Sequence, residues 1–224
     1  MQDKYYVVYD NIGLTKNDVS NFDEGCYVND LNISFYFRYI HNKNIQYEDK
    51  FCLLDPAMSQ TLYYEDDIEC LKMCLECLKL NEKQYIFLPV NDNTDKFKQG
   101  GGSHWALLVY QKENNVFFYL DSMGSYIKTA TKICKTMLKI LDIKIELNIV
   151  KLSNAKLQEN YCDCGVFLLS YAEFMLEKLN QNKFSVPFDD KLLIETFKGL
   201  DQSKVKDMRL DLKRLVDELR SKKI

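Results

Sequence analysis

The apolar positions of this chain fall into dense blocks separated by polar turns, and the period within each block predicts its conformation. Near the start, YYVVY (5–9) reads as a short strand, followed by polar turn sequence as far as Gly25. The next block, NDLNISFYFRYI, places Leu31, Ile33, Phe35, Phe37 and Ile40 in a dense apolar stretch. It reads as a buried helix with Asn29 or Asp30 near its cap. Asp55-Pro56 then interrupts the chain. A second helix is predicted over 66–80, where the acidic pair Asp66-Asp67 suits the positive end of a helix dipole. The middle reads as β: YIFLPV, then HWALLVY and VFFYLD, the last two joined by the turn-like QKENN. Between the first two lies NDNTDKFKQGGGS, a polar loop whose glycines can act as a hinge. A helix over 129–141, a strand over 146–152 and an apolar helix within CDCGVFLLSYAEFMLEKLN follow. The tail, 202–223, is an amphipathic helix with Val205, Met208, Leu212, Leu215, Val216 and Leu219 on one face, read as a packing element.

No internal repeat or low-complexity linker divides the 224 residues, and only three prolines occur, so one domain spanning 1–224 is expected. That length suffices for a substantial buried core and a monomer. Hydrophobic residues at 46% and charged residues at 28% are ordinary for a globular protein. A net charge of −3, with arginine only at positions 38, 209, 214 and 220, gives no electrostatic reason to expect nucleic acid. MQDKYYVVYD lacks the basic start and apolar run of a signal peptide, and no stretch approaches the roughly 20 apolar residues that span a bilayer. A cytoplasmic or nuclear protein with reduced thiols is therefore expected, with no membrane partner. Among eight cysteines, Cys70, Cys74 and Cys77 look like metal ligands. Three thiols on one helix, in a chain with two histidines, make a poor tetrahedral zinc site, so they are read as buried or half-buried helix cysteines and no metal is expected.

With two histidines, the search for a catalytic base is short. His41 sits in the polar link IHNKN, whereas His104 opens a strand just after Gly100, Gly101 and Gly102. A hairpin turning near Lys112 and Glu113 would set His104 opposite Asp121, with the two Cβ atoms roughly 5 Å apart on one face. Asp121 could then accept from Nδ1–H of the imidazole and hold its tautomer; the alternative is a strand-end turn residue. A nucleophile is offered by Cys164, where an apolar helix begins. The helix dipole and the free N–H groups there favour a thiolate, and the Cys164 N–H can donate to an oxyanion. Gly165 leaves room for a substrate carbonyl, and Cys162, two residues back, points elsewhere. Gln158, six residues earlier, offers a second oxyanion donor, although in isolation it reads as a surface glutamine.

Together, FLPVNDNT, GGSHWALLVY, FFYLDS and QENYCDCGVF resemble the Ulp/SENP family of ubiquitin-like-protein proteases, and most of all its deneddylase member. The match runs from about 85 to 171, with a thinner one at YVND. The resemblance implies an α+β, single-domain, papain-like Ulp-type fold with a central mixed sheet flanked by helices and the nucleophile at a helix N-terminus. It implies His104, Asp121 and Cys164 as the triad, Gln158 as oxyanion donor, no cofactor, and a ubiquitin-like modifier, preferentially the neddylation modifier, as partner. It also implies that Trp105 walls a narrow channel over the substrate's terminal diglycine, which only a side-chain-free tail can thread. The opposite wall, usually a second tryptophan, is Tyr27 here. Asn29, Asp30, Asn91 and Asp92 are candidate modifier contacts or, equally, caps and turn residues. SUMO or ubiquitin as the modifier, an acetyltransferase of the same Cys-His clan, and a non-catalytic modifier-binding module are the alternatives. The clan's acetyltransferases typically carry Glu as third member and a basic cofactor pocket; Asp121 and the scarcity of arginine point away from them.

Overall fold

A computed structural model describes residues 4–98, 100–124, 127–152 and 158–222. A small hairpin comes first, β1 (Val7–Tyr9) and β2 (Ile12–Leu14), followed by a short helix α1 (Lys16–Ser20). Helix α2 (Asp30–Lys43) buries Ile33, Phe35, Phe37 and Ile40. Asn29 is its cap: the side chain accepts from the N–H of Asn32, and the Asn32 side chain accepts from the N–H of Asn29. Strand β3 (Phe51–Leu53) leads into α3 (Pro56–Tyr64). The Asp55-Pro56 interruption is thus a helix start, because Asp55 caps the Ala57 N–H and proline at the first helical position gives up no bond.

The helix expected over 66–80 is α4 (Ile68–Leu75), capped by Asp67 and continued as two 3₁₀ turns broken at left-handed Lys79 (φ 49°). Leu71 and Leu75 face the core, and Cys70, Cys74 and Cys77 are exposed, correcting the expectation of buried thiols. Cys70 and Cys74 each stand one residue, hence about 100° of helix, from the leucine stripe, and Cys77 lies in the 3₁₀ turn beyond it.

The central sheet has the order β3-β4-β5-β6-β7, with β4 (Tyr85–Asn91), β5 (Trp105–Gln111), β6 (Val116–Leu120) and β7 (Ile149–Lys151). The outer pairs β3/β4 and β6/β7 are parallel and the inner two antiparallel, so the sheet is mixed. Helix α5 (Ile127–Ile140) crosses from β6 to β7. One face, through Ile86, Leu88, Leu108 and Phe117, packs against α4 and α5. The other, through Phe87, Leu107, Val109 and Phe118, packs against α2, α6 (Cys164–Gln181) and α8 (Gln202–Ser221), with α7 (Asp190–Thr196) beside them. Burial on both faces explains why β4 to β6 are continuous apolar runs rather than alternating ones. No helix among the described residues is long and apolar enough to cross a membrane.

Candidate active site

Cys164 is the first residue of α6 and is 2% exposed. As a first-turn residue it has an N–H with no partner inside the helix. The glycine after it is required by packing: a Cβ on Gly165 would lie 2.8 Å from Cβ of Val28. That close approach brings Val28, next to Tyr27, against the start of α6. Cys162 is half-buried, with its Sγ 3.5 Å from Asn160 Oδ1.

His104 sits just ahead of β5, 3% exposed, with its backbone held from both sides. Its N–H donates to Asp92 Oδ1 at 3.0 Å, and its carbonyl accepts from the Asn91 side chain at 3.2 Å. The ring meets Asp121 through Nε2, 2.7 Å from Oδ1. Two expectations are corrected here. The nitrogen is Nε2 and not Nδ1. The register pairs Leu107 with Leu120, so its continuation opposes Asp121 to Ala106, and His104 reaches it diagonally. A shift of two residues preserves the face, which is why the partnership survives the error. The Cys164 side chain lies close enough to the imidazole to favour its protonated form. Burial disfavours the imidazolium, but Asp121 and the nearby Cys164 side chain outweigh it and raise the pKa to about 9. Asp121 is lowered: burial works against its charge, and His104, the Met123 N–H (2.8 Å) and the Tyr119 hydroxyl (3.0 Å) overcome that.

Gln158 is half-buried and fixed at both ends of its amide. Ser122 Oγ donates to its Oε1 at 2.6 Å, and its Nε2 donates to the Asn160 carbonyl at 2.6 Å. One N–H of the amide is left for another acceptor. Ser122 and Tyr119 were not singled out in the sequence, although both lie within two residues of Asp121; their only signal was that proximity.

Close to His104 lies a cleft of about 520 Å³ lined by Tyr27, Asn29, Asp30, Asn91, Gly101, Gly102 and Trp105, among others. Five of the six predicted contact residues therefore share one wall system. Asp92 does not line it; its carboxylate turns back onto the N–H groups of Ser103 (2.7 Å) and His104. Asn29 and Asn91 face the cleft while also serving as a cap and a backbone brace. Gly102 must be glycine on two grounds: φ is +88°, and a Cβ would fall 2.0 Å from Asn91 Oδ1.

A thiol at a helix start, facing a strand-end imidazole backed by a carboxylate, over a mixed sheet, is the layout of a papain-like cysteine peptidase. Residues 26–224 match the Ulp1 protease family, C-terminal catalytic domain, and the chain belongs to that family of cysteine peptidases acting on ubiquitin-like modifiers. It is 30% identical over 197 residues to sentrin-specific protease 8 of Mus musculus, covering 87% of each chain. It is 28% identical over 217 residues to NEDD8-specific protease 1 of Arabidopsis thaliana, covering 96% of this chain and 94% of the relative. Among solved structures, SUMO protease Ulp1 with its catalytic cysteine oxidised to a sulfinic acid superposes with a TM-score of 0.68 at 18% identity, over 98% of this chain and 90% of that one. At that identity the likeness speaks for the fold.

Proposed function

We propose that this peptidase cleaves after the C-terminal diglycine of the neddylation modifier, maturing its precursor and releasing it from lysine, with Cys164, His104 and Asp121 as the triad. The observation that carries the reading is one buried imidazole bonded to Asp121 and close to the thiol of Cys164, next to a cleft walled by Tyr27 and Trp105. The relatives named sentrin-specific protease 8 and NEDD8-specific protease 1 support the choice of modifier.

The tail threads between Tyr27 and Trp105, where a side chain on either glycine would clash. With a pKa near 9, His104 is an imidazolium at neutral pH, and the attacking form of the sulfur is the thiolate. The sulfur attacks the final glycine carbonyl, forming the S–C bond. Charge gathers on the carbonyl oxygen, which the Cys164 N–H and the remaining Gln158 N–H receive. As the C–N bond breaks, His104 protonates the leaving amine: a lysine ε-nitrogen in a conjugate, the next residue's α-nitrogen in a precursor. Neutral His104 then takes a proton from water, which attacks the thioester, and the thiolate leaves. Asp121 keeps the ring oriented throughout.

Modifiers bearing a C-terminal electrophile test this. Covalent capture should be fastest with the neddylation modifier and slower with SUMO and ubiquitin. Faster capture of either would overturn the preference, and no adduct with any of them would overturn the proteolytic reading. The proposal includes a monomer acting in the cytoplasm or nucleus; a stable dimer in light scattering would contradict the first.

A further inference from the structure

The N-cap of the nucleophile's helix is Asp163, yet its side chain makes no capping bond to α6. The carboxylate is committed elsewhere. Arg209, from the middle of α8 and 46 residues away in the chain, brings Nε to 2.8 Å from Asp163 Oδ1, with Nη2 on the same oxygen. Asp163 Oδ2 accepts from Asn160 at 2.7 Å and from Gln202, the first residue of α8. Both partners of the ion pair are 3% exposed. Most of the remaining contacts go to one loop: Nη1 donates to the carbonyls of Asn21 (3.0 Å) and Asp23 (2.9 Å), and Nη2 to that of Cys26 (2.7 Å), with a longer bond from Nη2 to the Cys162 carbonyl (3.5 Å).

Those endpoints are adjacent to the chemistry. Asp163 precedes Cys164, and Cys26 precedes Tyr27 of the cleft wall. A single planar group therefore ties the nucleophile and the wall that guides the tail to the same helix. We infer that Arg209 is a positioning residue for catalysis, fixing the thiol of Cys164 relative to the Tyr27 wall. The inference rests on the reading of Cys164 as nucleophile. Arginine suits the task because its fork offers five N–H donors in one plane, whereas lysine neutralises Asp163 from a single point and cannot span the loop carbonyls. Displacement of a reacting group by about 1 Å can cost on the order of 100-fold in rate.

The test is capture of the electrophile-bearing neddylation modifier at saturating concentration, recording the rate constant and the captured fraction separately. Arg209→Lys keeps a cation beside Asp163. It should reach full stoichiometry and an unchanged circular dichroism spectrum while its rate constant falls at least ~10-fold. A wild-type rate constant in Arg209→Lys, or a loss confined to the captured fraction, overturns the inference, because a merely structural role removes folded molecules without slowing the survivors. If Arg209→Lys does not fold, Asp163→Leu combined with Arg209→Met removes both buried charges, an exchange that proteins often tolerate; the same two readouts and outcomes decide. Capture that persists in Cys164→Ala removes the nucleophile assignment and this inference with it, whereas capture lost there but undiminished in Arg209→Lys removes the inference alone.

Discussion

His104 is held between two opposed pulls, burial against its charge and the neighbouring Asp121 and Cys164 in its favour, and the neighbours prevail. Its proton is needed on the leaving amine, so kcat/KM should fall along an alkaline limb centred near pH 9. Replacing Asp121 removes the strongest support for that charge. Asp121→Asn should move the limb to lower pH and reduce kcat by about 10²–10⁴-fold, read from a pH–rate profile; an unmoved limb would detach Asp121 from His104. Gly102→Ala should cost stability as well as rate, since a side chain there meets both a left-handed backbone and Asn91. About 1–3 kcal/mol of strain is expected, or roughly 2–12 °C in Tm. At this scale the sequence was informative where a residue type is rare. Two histidines and one cysteine at an apolar helix start leave few choices. It was silent on Ser122, Tyr119 and Arg209, because an ordinary serine, tyrosine or arginine acquires its role only from partners brought near by the fold.

Elements carry these residues by short-range devices. The loop after β4 returns to His104 through Asp92, which bonds two successive N–H groups and the Ser103 hydroxyl. Asp92→Ala should therefore lower kcat more than it lowers Tm, and a purely thermal effect would contradict this bracing role. Asp55 caps α3 and accepts from Ser34 at 2.6 Å. Asp55→Ala should cost about 1 kcal/mol in chemical denaturation. The long elements, α2, β4 to β6, α6 and α8, announce themselves through sustained periods or apolar runs. The short ones do not: β2, β3 and β7 have three residues each, too few to display alternation, and α1 and α7 are barely two turns. The predicted strand over 146–152 shrank to Ile149–Lys151 for the same reason. Proline at 56 looked like a break because its tolerance at a first helical position depends on the aspartate before it.

Across the whole molecule, the buried His104–Asp121 pair links folding to pH with a definite sign. His104 is raised in the folded state, so its contribution is complete below the unfolded value near 6.5 and is lost as pH rises through about 9. Asp121 is lowered, so its contribution is present above the ordinary carboxylate range and disappears as pH falls through its folded value. Tm should accordingly decline between pH 7 and 10, and decline less in Asp121→Asn; an identical slope in both would argue that the pair contributes nothing to stability. The tail helix α8 was read as packing because its apolar face is conspicuous. One buried arginine among its polar positions changes that assessment, joining the far end of the chain to the residues that flank Cys164 and Tyr27.

The convergence of sulfur, imidazole and carboxylate is tested most directly by mapping where an electrophile-bearing neddylation modifier becomes attached. Digestion and mass spectrometry should find the adduct on Cys164 alone, with Cys162→Ala captured normally and His104→Ala hardly at all. An adduct on Cys162 or on the exposed Cys70 and Cys74, or undiminished capture without His104, would contradict the account.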